Sequence, residues 1–310
     1  MTEPTTHTLD VPGATLTYDV HVPDAPSDKR PLFIFGSPMG ATGFEQLVGH
    51  FTDRTVITYD PRGMERSTRE PGSKVTVEVH AEDYHRVVEA VGLGSVDAFG
   101  SSGGGMCGLH WVVAHPEDVR TFVSHEPPVI TLLEDSQMAI KVNADIVDTY
   151  QRDGFGPAMA KFIQLVMHQG PLPDDYLDRP APDPAQFGLP TEDDGSRDDL
   201  LLSGNLAMLP FEPDAEALRA SSVRIVPAIA GWRGAVVRRS PGCWASSRSS
   251  SPATTAASPP TSGPPTTTRP RSPRSSARSS SRTNQGCRGP ARFGNLLAVH
   301  EHRTVSQNAL

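Results

Sequence analysis

A glycine-rich turn between a strand pattern and a helix pattern constrains the fold of this chain more than any other feature. Residues 96–108 read VDAFGSSGGGMCG, and the five residues from Gly100 to Gly104 fit the pattern G-x-S-x-G. Such a turn lifts a serine off the end of a strand and places it at the start of a helix. Flanking glycines allow the strained backbone and leave room for the neighbouring strand and helix. The pattern predicts Ser102 as a nucleophile.

Strand and helix patterns alternate on both sides of this turn. Apolar side chains recur at helical spacing over residues 44–51 and 77–91, and Gly92 stands where a helix C-cap is expected. This alternation predicts a parallel α/β sheet whose reactive loops lie at the carboxyl ends of the strands. The predicted strands cover residues 14–22, 31–35, 54–60, 95–100, 119–125 and 223–229.

Residues 128–216 interrupt the alternation. Two amphipathic helix patterns, 138–150 and 156–168, are followed by a connection rich in Pro and Asp. We interpret this insertion as a helical lid over the strand ends. The predicted organisation is a core at 1–127, the lid at 128–216, a last core strand within 217–231 and an aberrant tail at 232–310.

Three motifs appear in a fixed order after successive strands: FGSPMG at 35–40, YDPRGMERS at 59–67 and GSSGG at 100–104. With them the chain resembles the α/β-hydrolase-fold enzymes from residue 6 to about residue 231. The resemblance implies a mostly parallel sheet flanked by helices, with a helical lid. It also implies a serine nucleophile, Ser102, and neither a metal nor an organic cofactor. The second motif is expected to shape the rim of the site without taking part in the chemistry.

The resemblance assigns supporting roles to three further residues. The N–H of Gly103 is the expected first oxyanion donor, and the N–H of Ser37 is the expected second. Family members carry an acidic residue after the sixth or the seventh strand, and here only Glu126, after the sixth, meets that description. Glu126 is therefore the expected acid. His125 beside it points the opposite way on an extended chain and is interpreted as structural.

A serine nucleophile needs a histidine base and an acid that orients it. In the resembled family that histidine follows the last strand, but beyond Gly231 this chain carries only His300 and His302, near the end of an unpatterned tail. Six of the earlier histidines are interpreted as surface, packing or lid residues. They are His50, His80, His85, His110, His115 and His168.

The tail has a different composition from the rest of the chain. Residues 1–230 carry a net charge of −19, whereas residues 231–310 hold 12 Arg, no Lys and one acid, a net charge of +11. Three interpretations stay open: a disordered linker, an Arg/Ser segment that binds nucleic acid or is phosphorylated, and a hydrolase terminus read in another frame. Each leaves the tail irregular or disordered.

We favour the change of frame, beginning near residues 230–233. When the third base of each codon is read as the first base of the next, residues 251–258 permit an acid-histidine-glycine loop. Residues 269–280 then permit an amphipathic terminal helix. On this interpretation the missing histidine stands at the position of Thr255.

The sequence thus predicts hydrolysis of a small ester or related acyl bond through an acyl-enzyme on Ser102, impaired because the base is absent. A cofactor-free perhydrolase or C–C bond hydrolase on the same fold is the alternative among enzymes. A non-catalytic binding protein with the basic tail as its contact surface is the alternative outside them. Nucleic acid is disfavoured as a partner because the aromatic residues that would stack on bases are few and scattered in the tail.

Composition excludes several other classes. Three cysteines without metal-ligand spacing indicate neither a disulfide framework nor a zinc site. The polar N-terminus lacks the apolar segment of a signal peptide, and no apolar run reaches the length of a membrane span. We therefore expect a soluble cytoplasmic protein that acts on a small molecule. The sequence makes no prediction of the oligomeric state.

Overall fold

The computed structural model describes residues 3–229, and these contain a seven-stranded sheet with the order β1-β2-β4-β3-β5-β6-β7. The antiparallel pairs are β1 with β2 and β2 with β4, and the remaining neighbours are parallel. The mostly parallel sheet that the family resemblance implied is confirmed. The strands are β1 (Thr5–Val11), β2 (Ala14–His21), β3 (Leu32–Ser37), β4 (Val56–Asp60), β5 (Val96–Ser102), β6 (Val119–His125) and β7 (Arg224–Ala228).

Helices follow most of the parallel strands, because parallel neighbours need a crossover connection that is usually a helix. Short 3₁₀ turns and one π-helical segment, Leu200–Asn205, supplement them. The helices are α1 (Glu45–Val48), α2 (Val77–Val91), α3 (Gly103–Ala114), α4 (Ser136–Asp153), α5 (Phe155–Met167), α6 (Leu206–Met208) and α7 (Ala215–Ala220).

Helix α2 shows how local sequence sets the bounds of an element. The Thr76 hydroxyl accepts a hydrogen bond from the N–H of Val79 at 3.3 Å, which satisfies one of the free donors of the first turn. At the other end Gly92 adopts the left-handed conformation with φ of 69° and donates to the carbonyl of Val88. The C-cap predicted at Gly92 is confirmed.

The two faces of β3 pack against different layers because side chains alternate along a strand. Phe33 and Phe35 point into an aromatic cluster with Tyr84 of α2 and Trp111 of α3, with ring centroids 4.2 to 6.1 Å apart. The other face carries Leu32 and Ile34 and packs in a smaller cluster with Phe44, Val48, Phe99 and Val123. A strand buried on both faces is typical of parallel sheets.

The structure differs from the sequence prediction in two places. β1 was not expected, because Thr5–Val11 is mostly exposed and has no alternating apolar pattern; it forms by pairing with β2 across the turn at Gly13. The helical pattern over 44–51 yields a 3₁₀ turn and one α-helical turn only. Glycines at 40, 43 and 49 lower the helix propensity there.

The inserted segment contains the two long helices expected from its periodicity, α4 and α5, which pack against each other. It then returns to the sheet through Leu200–Asn205, α6, α7 and β7. Its interpretation as a lid, and the domain bounds, stay predictions. The tail from residue 230 onward, with its proposed change of frame, lies outside the described residues.

Candidate active site

Ser102 occupies the turn between β5 and α3 in a strained backbone conformation. Its φ of 54° and ψ of −125° lie where non-glycine residues are rare, at a cost of about 1–3 kcal/mol. The side chain is exposed at the carboxyl end of β5. Backbone strain of this kind is typical of a functional residue that the surrounding structure holds in place.

The glycines on both sides of Ser102 are required by close packing. A Cβ on Gly100 would lie 2.8 Å from the Phe35 ring, and a Cβ on Gly104 would lie 2.9 Å from the Cα of Gly36. Both contacts are closer than side-chain atoms tolerate. β3 therefore occupies the space that the glycines were predicted to leave for a neighbouring strand.

The two expected oxyanion donors lie beside the strand-to-helix turn that carries Ser102, called the elbow below. Ser37 ends β3 and is the direct strand partner of Ser102 in β5. Gly103 is the first residue of α3, so its N–H belongs to the first turn, whose donors have no partner within the helix. A Cβ on Gly103 would lie 2.6 Å from the carbonyl oxygen of Ser37. The structure thus groups Ser37, Ser102 and Gly103 at one strand end.

A buried polar cluster, consisting of Ser37, His80 and Asn205, lies beside this group. The Asn205 amide donates to Oγ of Ser37 at 3.0 Å, and Nε2 of His80 lies 3.4 Å from the same oxygen. All three residues are at most 6% exposed. Asn205 belongs to the inserted segment, 168 residues away along the chain, and no local pattern in the sequence indicated it.

Burial, followed by the positive charge of Arg62, lowers the pKa of His80 to about 3. The imidazole is therefore neutral at neutral pH. Its Nδ1 has no hydrogen-bond partner among the described residues. The burial of His80 agrees with its interpretation as a packing residue. Its side chain also contacts Ser37, the residue that carries the second expected oxyanion donor.

Glu126 follows β6 at the strand end next to the elbow. It has a φ of 47°, is half-buried, and its N–H donates to the carbonyl of Ala228 in β7 at 2.8 Å. His125, its neighbour, places Nδ1 3.2 Å from Oγ of Ser101 and stacks against Phe99. Burial lowers the pKa of His125.

The loop after β4 supports the rim through two ion-pair networks. Arg62 donates to both carboxylate oxygens of Asp83 at 2.8 and 2.6 Å, and the Asp83 side chain is fully buried. Asp60 accepts from the N–H of Ala41 at 2.8 Å and from Nε of Arg66 at 2.6 Å. These bonds tie the loop to α2 and to the segment after β3, which supports the structural role expected for this motif.

Two further observations concern the described part of the chain as a whole. None of its helices is long and apolar enough to cross a membrane.

One group of side chains in the described part of the chain brings enough metal-ligating atoms together to hold an ion: His85, His115 and Glu117. That group lies on α2 and at the far end of α3, away from Ser102.

Comparison with known proteins identifies the family. The family model described as alpha/beta hydrolase fold matches residues 32–202 of this chain. An uncharacterized hydrolase of Bacillus subtilis, YraK, is 34% identical over 133 residues, which are 42% of this chain and 48% of that relative. The chain thus matches about half the length of this curated relative.

Solved structures agree with the fold at low sequence identity. A probable hydrolytic enzyme from Pseudomonas aeruginosa has a TM-score of 0.52 at 18% identity, with 73% of each chain covered. A thermophilic esterase from Thermogutta terrifontis has a TM-score of 0.51 at 17% identity, covering 76% of this chain and 82% of the esterase. Together with the family model and the strand order, these matches lead to one conclusion: the chain belongs to the α/β-hydrolase fold family.

Proposed function

We propose that this chain is a hydrolase of small esters or related acyl bonds, with Ser102 as its nucleophile. The observation that carries the proposal is the strained, exposed position of Ser102 at the junction of β5 and α3. The family membership and the hydrolase and esterase names of similar proteins support the reaction class.

In this mechanism Oγ of Ser102 attacks the ester carbonyl, and a histidine base takes its proton. The N–H groups of Gly103 and Ser37 stabilise the oxyanion, and each donor contributes about 10²-fold or more in rate. The alcohol leaves with the proton returned by the base, and water then hydrolyses the acyl-enzyme. Glu126 orients the base. A preorganised donor pair of this kind acts on the charge that develops in the transition state.

We infer that the histidine base of this mechanism is missing from the chain as written. We assign it to the loop lost in the change of frame, at the position of Thr255, which lies outside the described residues. His80 is a poor substitute, because a pKa of about 3 leaves its imidazole too weak a base to activate a serine near neutral pH. The chain as written is therefore an impaired hydrolase.

A variant in which the reading frame is restored tests the nucleophile. Its hydrolysis of 4-nitrophenyl acetate is measured with and without Ser102→Ala. We expect the substitution to lower kcat by about 10³-fold or more, because only binding and the oxyanion donors then remain.

Ser101→Ala in the same variant is the matched control, because Ser101 precedes the nucleophile and contacts His125 instead. It is expected to retain most of the activity. A restored variant that hydrolyses the ester equally well with and without Ser102→Ala would disprove the assignment of the nucleophile.

A further inference from the structure

Two histidines from different helices stack on each other on the side of the sheet that α2 and α3 cover. His85 lies in the last two turns of α2, and His115 is the C-cap of α3. Their ring centroids are 3.8 Å apart and their planes differ by 9°. Both side chains are less than one fifth exposed. From the sequence alone, each of them is expected to be a surface or packing residue.

One nitrogen of each ring is held by a carboxylate. Nδ1 of His85 lies 2.8 Å from Asp118, which also accepts from the Trp111 indole at 2.9 Å. Nε2 of His115 lies 2.9 Å from Glu82. A carboxylate on one ring nitrogen fixes the orientation of an imidazole and raises the basicity of the other nitrogen, which is the usual arrangement around metal-ligating histidines.

The other two nitrogens face further carboxylates. Nε2 of His85 lies 3.4 Å from Glu89, and Nδ1 of His115 lies 3.7 Å from Glu117. One ligand atom from each of His85, His115 and Glu117 falls within 4.8 Å of the other two. Ligands of one tetrahedral metal ion are about 3.3–3.5 Å apart when metal–nitrogen bonds are about 2.0–2.1 Å.

Binding of one ion requires the ligand atoms to come closer than they are in this structure. Glu117 is 67% exposed, so its carboxylate has room to change rotamer, and the two imidazoles, whose planes differ by 9°, would have to tilt towards each other to converge on one ion. Tilting replaces the stacking contact, while the bonds to Asp118 and Glu82 hold the opposite edge of each ring.

The surrounding charge favours a cation. Four carboxylates surround the two imidazoles, and among them Glu82 has Arg86 at 3.7 Å. The C-terminal end of α3, where His115 stands, carries the negative end of the helix dipole. One divalent ion would offset the negative charge of these carboxylates.

We propose that His85, His115 and Glu117 bind one divalent transition-metal ion, with Zn²⁺ the best fit and water as the fourth ligand. Imidazole and carboxylate ligands suit Zn²⁺ in a tetrahedral site. The ion clamps the C-terminal end of α3 to α2. Because α3 is 12 residues long, the site lies about 18 Å from the Ser102 end of the helix. It is a stabilising site and takes no part in the ester reaction.

The full chain, freed of metal with a chelator, is titrated with Zn²⁺ by calorimetry, and its thermal unfolding is followed with and without the ion. We expect one high-affinity ion for each chain and a rise in Tm with Zn²⁺, because an ion that binds only the folded state stabilises it. Mg²⁺ is expected to have no such effect, since it prefers oxygen ligands in octahedral geometry. Co²⁺ is expected to show the visible absorption of a tetrahedral site.

His115→Gln and Glu117→Gln are each expected to weaken this binding at least 10-fold and to remove the Co²⁺ absorption. Of the two variants, Glu117→Gln is expected to disturb the fold less, because the Glu117 side chain is exposed and lies outside the helices. His50→Gln, which changes an exposed histidine elsewhere, is the matched control and retains the site. Absence of stoichiometric binding, or binding that His115→Gln and Glu117→Gln leave unchanged, would overturn the proposal.

Discussion

At the scale of single residues, His80 shows how burial and a neighbouring charge alter the protonation of one side chain. Burial and the charge of Arg62 lower its pKa from about 6.5 to about 3. Between about pH 3 and pH 6.5, His80 is therefore protonated in the unfolded chain and neutral in the folded chain. Because the pKa of His80 is lowered on folding, the free energy of unfolding is not reduced by this group above pH 6.5. It falls as the pH decreases from 6.5 towards 3, where the unfolded chain is protonated and the folded chain is not.

We expect the free energy of unfolding of the wild type to fall more steeply with decreasing pH than that of His80→Gln. The difference in slope amounts to about 1.4 kcal/mol for each pH unit in this window. Urea unfolding at several pH values between 4 and 7 measures it. His50→Gln, which removes an exposed histidine, should keep the wild-type slope. Identical slopes for wild type and His80→Gln would show that this histidine is not held neutral.

At the scale of elements, the inserted segment docks on the sheet through the bond from Asn205 to Ser37. Both side chains are buried, so removal of one leaves the other without its partner, which costs about 1–3 kcal/mol. The same bond joins the π-helical turn of the insert to the end of β3, where the second expected oxyanion donor lies. A side-chain hydrogen bond thus links the inserted segment directly to the candidate active site.

A double-mutant cycle with Ser37→Ala and Asn205→Ala measures this connection. We expect each single change to destabilise the fold and the double change to cost less than their sum, by about 1 kcal/mol. Asn143→Ala is the matched control, because Asn143 is equally buried but donates to the carbonyl of Leu206. Its effect should add to that of Ser37→Ala. If the changes in the free energy of unfolding caused by Ser37→Ala and Asn205→Ala simply add, the two side chains are not energetically coupled.

At the scale of the whole molecule, the two parts of the chain differ in the sign of their net charge. The net charge changes from −19 over residues 1–230 to +11 over 231–310, where the resembled family would carry its histidine base. We expect the frame-restored variant to hydrolyse 4-nitrophenyl acetate at least about 10³-fold faster than the chain as written, since it regains the histidine.

The chain as written is expected to retain only the contribution of binding and the oxyanion donors. Resequencing the codons around 225–260 shows whether the change of frame belongs to the gene. Equal rates for the two chains, abolished in both by Ser102→Ala, would show instead that a histidine of the written sequence serves as the base.

The sequence by itself determined the features that depend on neighbouring residues. The helical stripe over 77–91 and Gly92 predicted α2 and its C-cap, because both follow from the period of a helix and the freedom of glycine. The glycines around Ser102 predicted the elbow, because a strand-to-helix turn admits few other residues there. The order of motifs then indicated the fold family.

The tertiary structure alone decided which distant residues meet. β1 became a strand only by pairing with β2, and Asn205 reached Ser37 only because the insert folds back over the sheet. His85 and His115 form a pair because α2 and α3 pack side by side, and their separation along the chain carries no metal-site spacing. Local periodicity shows which face of an element is apolar, whereas the partners of its polar groups depend on how the elements pack.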